Sequence, residues 1–189
     1  MTNLPQSREW PAKLSIQRTT DVHLQEARYS TLQMASHWAL AVLCVVEFPT
    51  AFAIVRAHLG HAFGIKASPF DLFLANIHEW AGWAILLLTV LLLLDRFVRG
   101  APKLPSGMSL WQRTIAHGAH AAIYLCLFAL VASGAVAMYL SAKLALFHIT
   151  LTKVGIGLIS LHLAGVVWHQ LVRRDGLLKR LMPTRRLPR

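Results

Sequence analysis

The chain has 189 residues, of which 56% are hydrophobic and 14% charged, with a formal net charge of +11 and a mean hydropathy of +0.51. A chain of this length and apolarity is not an ordinary soluble domain, and one compact membrane domain in a lipid bilayer is the expectation. The positive charge does not imply nucleic acid. The basic residues stand in blocks between long apolar runs, a pattern of membrane orientation rather than of a phosphate-binding face.

Residues 1–28 are polar, with Arg8, Lys13, Arg18 and Arg28 set against Glu9, Asp21 and Glu26. No charged stretch near Met1 runs straight into an apolar core, so no cleavable leader is expected, and this segment reads as a cytoplasmic extension. The first membrane helix is predicted from about Leu32 to Val55, with His37 near its start and Glu47 and Pro49 inside it. An acid within a membrane span is costly and is a functional candidate, or else a protonated group bonded to a neighbouring helix. Residues 56–76 read as a loop. His58 and His61 within it are three apart but make an incomplete metal site by themselves. The second helix is predicted from Ile77 to Leu94, with His78 at its head and Gly82 one turn on, on the same face. The third covers Thr114–Leu140, with His117 and His120 in its first turns, and a short linker, Ser141–Phe147, leads to the fourth. That fourth helix covers Ile149–Val172, with His148 just before it and His162 and His169 within it; Arg173 and Arg174 then open a basic tail. The expected division is therefore an extension (1–28), a membrane domain (29–175) and a cytoplasmic tail (176–189).

Orientation follows from the Lys and Arg. Fifteen of the nineteen lie in the N-terminal segment, the segment between helices two and three, and the tail; the other four are Arg56, Lys66, Lys143 and Lys153. The positive-inside rule then gives an all-α, four-helix transmembrane bundle with both termini cytoplasmic. Trp38, Trp111 and Trp168 fall near the inner boundary, and Trp80 and Trp83 near the outer, where interfacial tryptophans are enriched.

With that topology each histidine acquires a depth. On a helix 14 residues rise about 21 Å and return to within ~40° of the starting direction, so His148 and His162 share a face at two levels, with Gly155 midway. Such a stripe suits two flat cofactors stacked along one helix, each iron taking its second imidazole from another helix. His78 lies at the outer level with His148. His37 lies at the inner level, where His162 and His169 compete by depth to be its partner. Cys44 and Cys126 fall inside apolar runs and read as packing residues, and no CxxCH motif exists, so any haem is held non-covalently as haem b.

The stretches YSTLQMASHW (29–38), NIHEWAG (76–82), RTIAHGAHAAIYL (113–125), SLHLAGVVWH (160–169) and DGLLKRLMP (175–183) resemble the bacterial cytochrome b-561 family. That family comprises small four-helix dihaem, quinone-linked proteins of the inner membrane, and the match is nearest to its superoxide-oxidising branch. The resemblance implies two haem b groups with His37, His78, His148 and His162 as axial ligands, which sets His169 aside. It leaves His117, His120 and His169 as non-ligand histidines near the inner haem, candidates for quinone contact or proton delivery. Two departures stand out: the segment between helices three and four is shorter than in the superoxide-oxidising type, and residues 1–28 have no counterpart there.

The expected function is electron transfer from a donor at the outer face, superoxide or a periplasmic redox protein, through two bis-histidine haems to a membrane quinone. Two rival readings are a haem-bearing subunit relaying electrons between quinone and a docked dehydrogenase or c-type cytochrome, and a haem-free scaffold or transporter, which would be colourless.

Overall fold

A computed structural model describes residues 29–100, 108–174, 176 and 178–182, without the side chains of 58–62 and 179. Four long helices account for almost all of them: α1 (Thr31–Ala62), α2 (Pro69–Arg99), α3 (Leu110–Tyr139) and α4 (Ala145–Trp168). A single 3-10 turn, Ala142–Leu144, joins α3 to α4; a π-turn, His169–Arg173, closes α4; and Leu178–Leu181 forms a last 3-10 turn. Each main helix carries a window long and apolar enough to cross a membrane.

The ends of these helices depart from the apolar runs for local reasons. The loop expected over 56–76 shrinks to six residues, because α1 continues to Ala62 and α2 starts at Pro69. Ser68 caps α2 by accepting from the Asp71 N–H, and Pro69 follows at a position where a missing N–H costs nothing. Likewise α3 begins at Leu110 rather than near Thr114. Ser109 accepts from the Gln112 N–H (3.3 Å) while the Gln112 side chain accepts from the Ser109 N–H (3.0 Å), a closed capping box.

Packing joins two helical hairpins. α1 lies along α2 and α3 along α4, with α2 against α3 as the main seam and sparse contact between α1 and α4. Leu40, Ile85 and Leu92 form the buried core, with Leu43, Cys44, Leu88, Tyr124, Leu127 and Val131 around it. The polarity is inverted relative to a water-soluble bundle. Ser36, Thr50, Thr89 and Ser133 are buried, whereas Val45, Phe97, Leu110 and Leu146 are each more than 70% exposed. Apolar side chains facing outward along every helix, with hydroxyls turned inward, are what a lipid solvent demands.

The two ends of the described chain lie at one end of the bundle. The Trp38 indole N–H donates to the Leu181 carbonyl (3.1 Å), and Arg173 donates to the Gln112 side chain (2.8 Å). At this same end Asp95 is buried, accepting from the Ser30 hydroxyl (3.0 Å) and pairing with Arg99 (2.8 Å), while Gln33 donates to the Gly100 carbonyl. At the far end Arg56 is bound to Asp71 through two nitrogens, at 2.8 and 2.6 Å. An even number of spans follows from this arrangement.

Candidate functional site

The four histidines of the two expected pairs meet as pairs. The rings of His37 (α1) and His162 (α4) lie 6.3 Å apart between centroids, inclined at 61°, near the end that holds the termini. The rings of His78 (α2) and His148 (α4) lie 6.4 Å apart at 81°, toward the far end. With a metal–imidazole bond of about 2.0 Å and about 1.1 Å from nitrogen to ring centre, two imidazoles on opposite sides of one metal ion would stand about 6.2 Å apart. Both pairs therefore fit a single metal atom between them. His120 approaches His162 to 5.0 Å between centroids, which is too close for that.

The far pair is also fixed in tautomer. His148 Nδ1 lies 3.0 Å from the Leu130 carbonyl and 3.1 Å from the Ser133 hydroxyl. A carbonyl only accepts, so Nδ1 carries the proton, and the neutral ring keeps its lone pair on Nε2. Ser133 itself donates to the Leu130 carbonyl (3.0 Å), which frees its oxygen to accept from Nδ1. Gly134 completes this seat. A Cβ there would lie 3.0 Å from His148 Cε1 and 3.3 Å from Nδ1, so the ring rests against bare backbone.

His78 is held in the same sense. Its Nδ1 lies 3.2 Å from the Thr50 hydroxyl, whose own proton has the Val46 carbonyl as acceptor at 2.9 Å. The Glu47 carboxylate also lies against His78 Nδ1. Glu47 is thus the buried acid anticipated within the first helix, and its partner on the neighbouring helix is a histidine. The open side of Gly82 faces this carboxylate, with Glu47 Oε1 3.7 Å from where a Cβ would stand.

The pair near the termini differs. Among the described residues the rings of His37 and His162 make ring contacts, to each other, to Trp38 and to His120, and no hydrogen bond. His120 is half-buried, with Nδ1 2.7 Å from the Ala116 carbonyl; His117 is exposed and His169, opening the π-turn, is half-buried. Of these three, the structure brings His120 against the pair.

Gly155 does not line an open stripe midway between His148 and His162. It is buried where α4 meets α3, and a Cβ there would sit 3.3 Å from Leu130 Cδ1 and 3.4 Å from Cys126 Sγ. Its smallness serves close helix packing. Cys44 and Cys126 are free thiols, consistent with packing residues. The side chains of His58 and His61 lie outside those described, as do residues 1–28. Among the described residues no group of three or more His, Cys, Asp or Glu side chains converges to hold a bare metal ion. Arg56, counted with Lys66, Lys143 and Lys153 as a basic set, is neutralised by Asp71.

A four-helix membrane bundle that opposes two imidazole pairs across its helices has the donor set that a membrane cytochrome would use to hold haem. The chain matches the model of the family described as prokaryotic cytochrome b561 over residues 28–184, and it belongs to that family, whose members bind haem b and transfer electrons in the membrane. It is 29% identical over 162 residues to cytochrome b562 of Cereibacter sphaeroides, covering 85% of this chain and 99% of that protein. It is 24% identical over 181 residues to a probable superoxide oxidase, CybB, of Yersinia pestis, covering 84% of this chain and 98% of that one. The protein is accordingly a multi-pass bacterial membrane protein.

Proposed function

We propose that His78 with His148, and His37 with His162, are the axial ligands of two non-covalent haem b groups, and that the protein carries electrons across the inner membrane from an outer donor to a quinone. The observation that carries this is the pair of centroid separations, 6.3 and 6.4 Å, each spanning two helices and each fitting one iron. When bound, the haems supply one-electron carriers at two depths about 21 Å apart along α4. The chain's part is to orient the ligands, exclude water and set the surroundings.

The basic blocks, through the positive-inside rule, support putting the termini, and with them the His37/His162 pair, on the cytoplasmic side. His78 and His148 then stand near the outer surface. Superoxide is the donor that the similarity to the Yersinia pestis protein supports. Two superoxide anions would give one electron each and leave as dioxygen, and the quinone takes two electrons and two protons. His120, against the inner pair, with His117 and His169 on the same side, are the groups we assign to quinone contact or proton delivery, since one imidazole nitrogen can donate a proton while the other accepts one.

One observation favours a second reading. Leu140, Ser141 and a single 3-10 turn are all that joins α3 to α4, which leaves room at the outer face for a docked dehydrogenase or c-type cytochrome as donor. The deciding experiment is haem content per chain with a reduced-minus-oxidised spectrum, followed by exposure to a superoxide source with no partner protein. Two b-type haems reduced by superoxide alone support the first reading. Two haems that superoxide fails to reduce support the relay. A colourless protein rejects both.

A further inference from the structure

We propose that Glu47 is a positioning residue that lowers the reduction potential of the outer haem through His78, making the two haems electronically unequal. This rests on the ligand assignment proposed above. The observation is an asymmetry in what stands behind the ligand rings. Both outer rings have Nδ1 partners, and the partner of His78 includes a carboxylate. The inner rings take no hydrogen bond among the described residues.

The chemistry follows from which atom holds the proton. The Thr50 hydroxyl directs its hydrogen to the Val46 carbonyl, so toward His78 it offers a lone pair, and the Glu47 oxygens offer only lone pairs. His78 Nδ1–H is therefore the donor, and Nε2 is left as the ligating atom. A carboxylate accepting from Nδ1–H draws the proton toward itself and pushes electron density into the ring, which makes Nε2 a stronger donor to iron. A stronger donor, together with buried negative charge, favours ferric over ferrous iron and lowers the potential. The carboxylate is placed for this. Among the described residues both Glu47 oxygens are buried and have no hydrogen-bond partner beyond this contact with His78. An unscreened acid inside a membrane span is costly, and this contact gives it a function. The consequence is direction: the electron runs downhill from the outer level to the inner.

The test is a redox titration of the purified dihaem protein, wild type against Glu47→Gln, with haem content measured on both. The amide keeps an acceptor oxygen at the same reach but removes the charge. The expected result is two haems per chain in each protein, with the outer haem of the variant shifted to higher potential. A shift worth about a tenfold change in the reduced-to-oxidised ratio is ~59 mV for one electron, and the inner haem should not move. Glu47→Asp should lie between the two. Two haems with unchanged potentials would overturn the proposal. Loss of the outer haem from Glu47→Gln would also overturn it, because a tuning residue leaves the ligand in place. Fewer than two haems in the wild type would instead defeat the ligand assignment itself, and so the two failures are distinguishable.

Discussion

Gly134 offers a sharp test of the outer site because it touches His148 without being a ligand. Replacing a mid-helix glycine by alanine ordinarily favours the helix by about 1 kcal/mol, so any loss must come from contact. A Cβ at this position would sit 3.0 Å from His148 Cε1, and ordinary carbon contact begins about 0.4 Å further out. The ring must therefore recede by roughly 0.4 Å, stretching its 3.0 and 3.1 Å bonds to Leu130 and Ser133 to lengths where little hydrogen bonding remains. Losing about one hydrogen bond's net worth while displacing the proposed haem ligand by more than metal sites tolerate amounts to about 1–2 kcal/mol, or about 5–30-fold weaker binding of the outer haem. The assay is haem retained per chain after dilution of the Gly134→Ala protein in detergent, with the reduced-minus-oxidised spectrum identifying which haem is lost. Gly157→Ala is the control, since nothing lies within 4 Å of a Cβ there, and it should keep both haems. A Gly134→Ala protein that holds two haems as tightly as wild type would refute the account of the His148 seat.

His148→Ala is expected to lose the outer haem and keep the inner, and His162→Ala to do the reverse; one haem per chain with distinct difference spectra is the readout. His169→Ala should retain both haems by the same measurement, and loss of the inner haem would overturn the pairing of His37 with His162. His120→Leu should also keep two haems but slow quinone reduction, measured as turnover with a soluble quinone; unchanged turnover would remove His120 from the quinone side. Asp95→Ala leaves Ser30 without its acceptor and releases Arg99, which is 64% exposed and can hydrate instead. The cost should be about 1–2 kcal/mol, read as a lower melting temperature in detergent with haem content intact.

The helices and their number were legible because a membrane span announces itself by length and apolarity, and the levels of the histidines followed from helical rise once the topology had been read from the basic residues. The helix ends were less so. Hydropathy stops at the lipid boundary, whereas backbone hydrogen bonding does not, so α1 runs on through polar residues to Ala62. The start of α3 was within reach of the sequence, since Ser109 followed three residues later by Gln112 spells a capping box. The π-turn at His169 left no comparable mark. For the site, spacing and topology set His78 level with His148 and left His162 and His169 competing for His37, the family resemblance chose His162, and neither showed what lies behind each ring. Thr50, Ser133, the Leu130 carbonyl and Gly134 come from other helices, and their register against His78 and His148 is set by packing. Glu47 was recognisable as a costly acid; that it meets His78 depended on how α1 lies along α2. Gly155 shows the opposite limit. Its place midway between two histidines suggested a smooth wall, yet the same smallness lets α4 approach Cys126 and Leu130.

The separation of the two histidine levels along α4 also bears on energy conversion. Fourteen residues rise about 21 Å of a hydrocarbon core about 30 Å thick, so an electron passing between the levels crosses about 70% of the membrane voltage. At about 2.3 kcal/mol per charge per 100 mV, that is ~1.6 kcal/mol for every 100 mV. In the proposed orientation the electron moves toward the negative side. Each turnover would then charge the membrane, and a strong standing voltage would slow the protein that helps to build it.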